Sequence, residues 1–85
     1  PIVGGLVPNH GVVLTQTAVS IYGEYYMSGA TVTICGEETT NVIVEHQGKI
    51  KCVTPAHDTA EACDVTVTNP NGQHGTLTGG YTYTP

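Results

Sequence analysis

The feature that most constrains the fold is a strict alternation of apolar and polar side chains over short stretches. Its clearest example is residues 63–69, in which apolar and polar positions alternate as Cys63, Val65 and Val67 against Asp64, Thr66 and Thr68. Successive side chains of a strand point to opposite faces, so this pattern indicates a half-buried β-strand. The turn sequence of residues 69–72, Asn-Pro-Asn-Gly, follows at once and predicts a hairpin.

Similar alternation recurs along the rest of the chain. The runs cover residues 2–7, 17–23, 30–35, 41–45, 49–53 and 75–84. Turn residues separate them at intervals of about 8 to 12 residues, and no helical period competes. The sequence therefore predicts an all-β protein, an antiparallel β-sandwich.

The face assignments at the two ends of the chain make further predictions. In residues 2–7 the alternation places Ile2, Gly4 and Leu6 inward. In residues 75–84, Gly79 and Gly80 mark a β-bulge, and the aromatic side chains that follow them close the core.

Length and composition limit what the chain can do. Its 85 residues supply one hydrophobic core, so residues 1–85 are expected to form a single domain. The first residue is Pro1 rather than Met, and we expect the domain to be a segment of a larger multidomain protein. No apolar run approaches the roughly 20 residues that span a bilayer, so no membrane insertion is expected.

The charge balance disfavours two classes of partner. The formal net charge is −5, and Lys49 and Lys51 are the only strong cations. Binding to nucleic acid needs several cations on one face, and so does docking on an anionic membrane. Neither partner is expected.

The ordered landmarks carry a family resemblance. They are the proline turn and glycine of residues 8–11, the strand closed by Gly23, Tyr26 where a phenylalanine is usual, the strand of residues 32–36, the threonine and proline segment of residues 50–56, the run of residues 64–72, and the ending of residues 80–84. Together they resemble the IPT/TIG family over nearly the whole chain. The resemblance implies an immunoglobulin-like sandwich of about seven strands, in a module that is usually not the catalyst of its host protein.

Three cysteines leave two possible states open. The alternation places Cys52 and Cys63 inward on consecutive strands, whereas Cys35 falls on the face opposite Val32 and Ile34. The pattern predicts a disulfide between Cys52 and Cys63, which would stabilise the domain by roughly 3 kcal/mol. The alternative is two buried free thiols in a reducing compartment.

No metal site, cofactor or catalytic site is predicted. The four histidines are scattered without zinc-ligand spacing: His10, His46, His57 and His74. The acids Asp58, Glu61 and Asp64 do not have the spacing of a calcium loop, and we interpret them as solvated. No nucleophile has a base and an oxyanion hole in its neighbourhood, so no enzymatic activity is expected.

The five tyrosines are the only aromatic residues apart from histidine. The alternation assigns Tyr26, Tyr81 and Tyr83 to the core or its end, and it leaves Tyr22 and Tyr25 as exposed rings that could face a ligand. Exposed aromatic rings commonly stack against sugars.

These observations give one main functional hypothesis and two alternatives. The first is a non-catalytic module that spaces, orients or docks neighbouring domains, of its own chain or of another protein, in a secreted or cell-surface protein. The second is a carbohydrate-binding module, with a polysaccharide as partner, attached to a glycan-active enzyme. The third, the dimerisation module of a transcription factor, is weakened by the scarcity of lysine and arginine.

Overall fold

The computed structural model describes residues 1–85 and contains nine strands and no helix. The strands are β1 Ile2–Val7, β2 His10–Val12, β3 Ala18–Glu24, β4 Thr31–Ile34, β5 Glu37–Glu38, β6 Thr40–His46, β7 Lys49–Val53, β8 Ala62–Thr68 and β9 His74–Thr84. The predicted all-β sandwich is confirmed. The two strands beyond the predicted number, β2 and β5, have three and two residues and are too short to leave an alternating pattern.

The strands form two sheets that pack face to face. One sheet has the order β1-β3-β7-β6 and the other the order β2-β9-β8-β4-β5. Every pairing is antiparallel except that of β2 with β9, which is parallel. This exception arises because the chain leaves the first sheet at Val7 and joins the edge of the second sheet at His10.

The core lies between the two sheets and consists of side chains from both. Its buried apolar residues are Val3, Leu6, Val19, Ile21, Tyr26, Ala30, Val32, Ile34, Ile50, Cys52, Cys63, Val65, Val67, Tyr81 and Tyr83. The predicted inward positions of β8 and of the last tyrosines are confirmed. The rings of Tyr81 and Tyr83 meet edge to face with their centroids 5.1 Å apart, an arrangement that aromatic pairs favour.

The prediction for the first strand is wrong at its beginning. Val3 pairs with Gly23, but Gly5 pairs with Tyr22, so one extra residue of β1 bulges between these two pairs. A bulge reverses the alternation. Val3 and Leu6 are therefore buried, whereas Ile2 is exposed.

The bulge predicted in the last strand is confirmed. Cys63 pairs with Tyr81 while Val65 pairs with Leu77, so the intervening residues of β9 outnumber those of β8. Gly79 has φ +65° within this bulge, a left-handed conformation that glycine adopts without steric cost. The bulge lets both Leu77 and Tyr81 face the core.

Gly23 and Tyr26 lie against each other at the end of the sandwich. A Cβ atom at position 23 would overlap the backbone carbonyl oxygen of Ile2 and the hydroxyl of Tyr26. The missing side chain thus makes room for the Tyr26 ring, which is buried. Burial raises the pKa of Tyr26 to about 12.

The two core tyrosines of β9 should respond differently to loss of their hydroxyl groups. The Tyr81 hydroxyl is buried without a hydrogen-bond partner, whereas the Tyr83 hydroxyl donates to the Pro55 carbonyl oxygen at 2.6 Å. We expect Tyr81→Phe to leave the free energy of unfolding unchanged or raise it, and Tyr83→Phe to lower it by about 1 kcal/mol. Urea unfolding followed by circular dichroism measures both values, and equal losses would contradict this assignment.

Candidate functional site

The first candidate region is the outer face of the four-stranded sheet. We use "outer face" for the solvent side of β1, β3, β7 and β6, which presents Val7, Ser20, Tyr22, Ile43, Glu45, Lys49 and Lys51. Strand register places Val7, Ser20, Lys51 and Ile43 in one row across the sheet. Val7 is 64% exposed and Ile43 58% exposed, so apolar side chains stand in water at both edges of this row.

Both strong cations of the chain lie on the outer face and share one partner. Glu45 binds the Lys49 and Lys51 ammonium groups at 3.2 Å and 3.1 Å. The hydrogen bonds from Lys51 and Lys49 lower the pKa of Glu45, and the hydrogen bond to Glu45 raises the pKa of Lys49. The face therefore combines exposed apolar groups with a small charge network.

The two tyrosines predicted to be exposed are exposed, but they lie in different settings. Tyr22 is 45% exposed, and the Lys49 ammonium sits 5.7 Å from its ring centroid. Tyr25 is 62% exposed and has φ 65° in the connection that follows β3. The structure does not bring the two rings together as one stacking platform, and their role toward a ligand stays a prediction.

Tyr25 belongs to an open cleft at the end of the sandwich. The cleft has a volume of about 420 Å³ and is lined by Gly23, Glu24, Tyr25, His46, Gln47 and Gly48. Buried Asn69 fixes the backbone around Tyr25: the Asn69 side-chain amide donates to the Tyr25 carbonyl oxygen at 2.8 Å and accepts from the Met27 backbone N–H at 3.1 Å. The hairpin turn predicted from the sequence thus fixes the Tyr25 loop.

The second candidate region is a cluster that we call the disulfide corner, formed by Cys35, Glu37, His57, Glu61 and Cys63. It includes a disulfide between Cys35 and Cys63, whose Cα atoms are 4.8 Å apart. The predicted pairing of Cys52 with Cys63 is wrong. Cys52 is buried and free.

Two features of the backbone explain the correct pairing. Cys52 lies on β7 of the four-stranded sheet, whereas Cys63 lies on β8 of the five-stranded sheet, and the pairing of β4 with β8 in that sheet brings the residue after β4, Cys35, next to Cys63. Cys35 follows β4 with φ 54°, so the strand alternation that placed its side chain outward ends there. Its backbone N–H donates to the Asp64 carbonyl oxygen at 3.2 Å, which holds it beside Cys63.

His57 is clamped between two glutamates beside the disulfide. Its Nδ1 lies 2.9 Å from Glu37 and its Nε2 lies 2.7 Å from Glu61. The ring packs against Tyr83 with centroids 5.0 Å apart, and the side chain is only 13% exposed. The hydrogen bonds with Glu61 and Glu37 raise the pKa of His57 above its ordinary value.

The remaining sequence candidates do not gather at a site. Asp64 accepts the Gly79 backbone N–H at 2.9 Å, and Asp58 bonds to the Thr59 hydroxyl at 3.1 Å. Sequence reasoning missed the His57 cluster because Glu37 lies 20 residues away and its contact depends on the fold. The only sequence signal was the spacing of four between His57 and Glu61.

The clamp makes a pH-dependent contribution to stability. The folded state favours protonated His57, so this contribution is complete below the unfolded-state pKa of about 6.5 and is lost as the pH rises through the higher folded-state pKa. We expect Glu61→Gln to lower the pKa of His57 in the oxidised protein, measured by NMR titration of the imidazole Cε1–H signal. Exposed Glu38 provides the control, and an unchanged midpoint in Glu61→Gln, matching that of Glu38→Gln, would contradict the clamp.

The fold is an immunoglobulin-like sandwich, and its candidate regions are the outer face and the disulfide corner. The chain belongs to the IPT/TIG domain family, which matches residues 1–84. Domains of this family are generally non-catalytic and mediate protein–protein interaction or docking. No match was found among curated proteins. The structure has no membrane-spanning helix.

Proposed function

We propose that this domain is a docking module of a larger secreted or cell-surface protein, and that its outer face packs against a neighbouring domain of the same chain. The observation that carries the proposal is the row of exposed Val7 and Ile43 with Tyr22 beside it on the outer face. Val7 and Ile43 stand at opposite edges of the sheet and Tyr22 stands on a strand between them, so a domain laid across the outer face would bury all three side chains.

Charge supports a protein partner on this face. The chain is acidic overall, yet Lys49 and Lys51 both stand among the exposed apolar groups of the outer face. A neighbouring domain with an apolar patch and an acidic rim would complement this arrangement. Two lysines with a shared glutamate are too few for a nucleic-acid surface.

The disulfide supports an extracellular setting. Disulfides persist in oxidising compartments and are rare where thiols are kept reduced. The bond between Cys35 and Cys63 joins the end of β4 to β8, both in the five-stranded sheet. It therefore suits a domain exposed to the medium outside the cell.

Footprinting of the full-length protein tests the docking face. We expect Ile43→Glu to increase hydroxyl-radical labelling of Tyr22 several-fold, because the neighbouring domain would no longer cover the outer face. Leu14→Glu is the matched control, since Leu14 is also well exposed, at 68% against 58% for Ile43, but lies outside the outer face. If Tyr22 is labelled to the same extent in the parent protein and in both variants, the outer face is not covered and the proposal is wrong.

A carbohydrate-binding role is the second candidate, and the cleft at Tyr25 favours it. An exposed aromatic ring stands there beside the side chains of Glu24, His46 and Gln47, which can hydrogen-bond to hydroxyl groups. Titration with a panel of polysaccharides, followed at the Tyr25 amide by NMR, tests this role. No shift at millimolar ligand would exclude it, whereas a shift that is lost in Tyr25→Ala would support it.

A further inference from the structure

The disulfide corner contains four side chains that can bind a metal ion, but two of them, Cys35 and Cys63, are bonded to each other in the disulfide. The Sγ atoms of Cys35 and Cys63, an imidazole nitrogen of His57 and a carboxylate oxygen of Glu61 all lie within 4.8 Å of one another. While the two sulfur atoms are bonded to each other, only the imidazole and the carboxylate are available. Reduction would release two further ligands at the same place.

We propose that reduction of the Cys35–Cys63 disulfide converts the disulfide corner into a zinc site, with Cys35, Cys63, His57 and Glu61 as its four ligands. The proposal is independent of the docking role, because the corner belongs to the end of β4, the start of β8 and the loop before β8 rather than to the outer face. The disulfide and the zinc site are alternative states of one cluster.

The geometry requires only small movements. Tetrahedral zinc with Zn–S bonds of about 2.3 Å separates two sulfur ligands by about 3.8 Å. The backbones at Cys35 and Cys63 are already adjacent, with the Cα atoms 4.8 Å apart, so side-chain rotation can open the pair by that amount. The four ligand atoms lie within 4.8 Å of one another, so the imidazole and the carboxylate need to move by about 1 Å to reach the ligand separations of a tetrahedral ion.

Glu37 would orient His57 as a metal ligand without binding the metal itself. It holds Nδ1 of His57 at 2.9 Å, which leaves Nε2 directed toward Glu61 at 2.7 Å. Histidine ligands of zinc commonly donate their other ring N–H to a carboxylate, which fixes the tautomer and the orientation of the ring. Zinc would therefore replace the proton now shared between His57 and Glu61.

The ligand set selects zinc over the common hard cations. Thiolate and imidazole ligands suit zinc, whereas calcium and magnesium prefer sites made of oxygen. Reduction by a dithiol breaks the Sγ–Sγ bond, transfers two electrons and two protons to the cysteines, and leaves the reductant as a disulfide. Zinc binding then releases the two thiol protons and the proton shared between His57 and Glu61.

Titration of the phosphine-reduced chain with zinc and cobalt(II) tests the proposal. The phosphine takes up an oxygen atom from water as the disulfide opens, and it leaves two free thiols. We expect one zinc ion per reduced chain and none per oxidised chain, measured by competition with a chromogenic chelator. Cobalt(II) should give the sulfur-to-metal charge-transfer absorption of two thiolate ligands in a tetrahedral site.

Variants separate this site from other thiols and histidines. We expect Cys35→Ser to abolish stoichiometric binding and Glu37→Gln to weaken it by about 10- to 100-fold. Cys52→Ala and His74→Gln are the controls and should leave the affinity unchanged, because Cys52 lies in the other sheet and His74 on the exposed end of β9.

Several results would overturn the inference. A reduced chain that keeps its circular dichroism spectrum but binds no zinc would show that the corner is only a disulfide beside an ion pair. Binding that persists in Cys35→Ser would place the metal elsewhere. If reduction unfolds the chain and zinc does not restore the folded spectrum, the proposal is equally wrong, whereas recovery of the spectrum with one zinc ion would support it.

Discussion

The register of β8 is the constraint on which the rest of the structure depends. Its inward residues Cys63, Val65 and Val67 are almost fully buried, and the strand is paired on both sides, with β4 and with β9. A slip by one residue would turn Asp64 and Thr66 into the core and expose all three apolar groups. Such a slip would cost several buried side chains, each worth about 1.5 to 3 kcal/mol, so a single register is specified.

The same register assembles the disulfide corner. Pairing of Ile34 with Val65 brings the residue after β4 beside the start of β8, and Cys35 and Cys63 meet there. The loop before β8 places His57 against the ring of Tyr83 and within hydrogen-bonding distance of Glu37 on β5. The corner is thus built by the five-stranded sheet, whereas the outer face is built by the other sheet, and the two regions can serve different roles.

The structural features that could be predicted from the sequence depend on local residue patterns. The features that were missed arise where the backbone interrupts the strand alternation. The alternation of β8 and the bulge at Gly79 were predicted because period-two burial and glycine turns are local signals. The extra residue in β1 and the left-handed backbone at Cys35 change which side of the sheet the side chains point to. Neither change is visible in the order of apolar and polar residues. The disulfide partner and the Glu37–His57 contact followed from those breaks and from pairing between distant strands.

Mapping the disulfide in the unreduced chain tests the central claim, that the β4–β8 register decides which cysteines meet. Trypsin cleaves only after Lys49 and Lys51, so it separates Cys35 from the fragment that contains both Cys52 and Cys63. The account predicts that residues 1–49 stay linked to residues 52–85, and that further cleavage after Glu61 leaves Cys52 as an alkylatable free thiol. Release of residues 1–49 without reduction, with the disulfide inside residues 52–85, would contradict it.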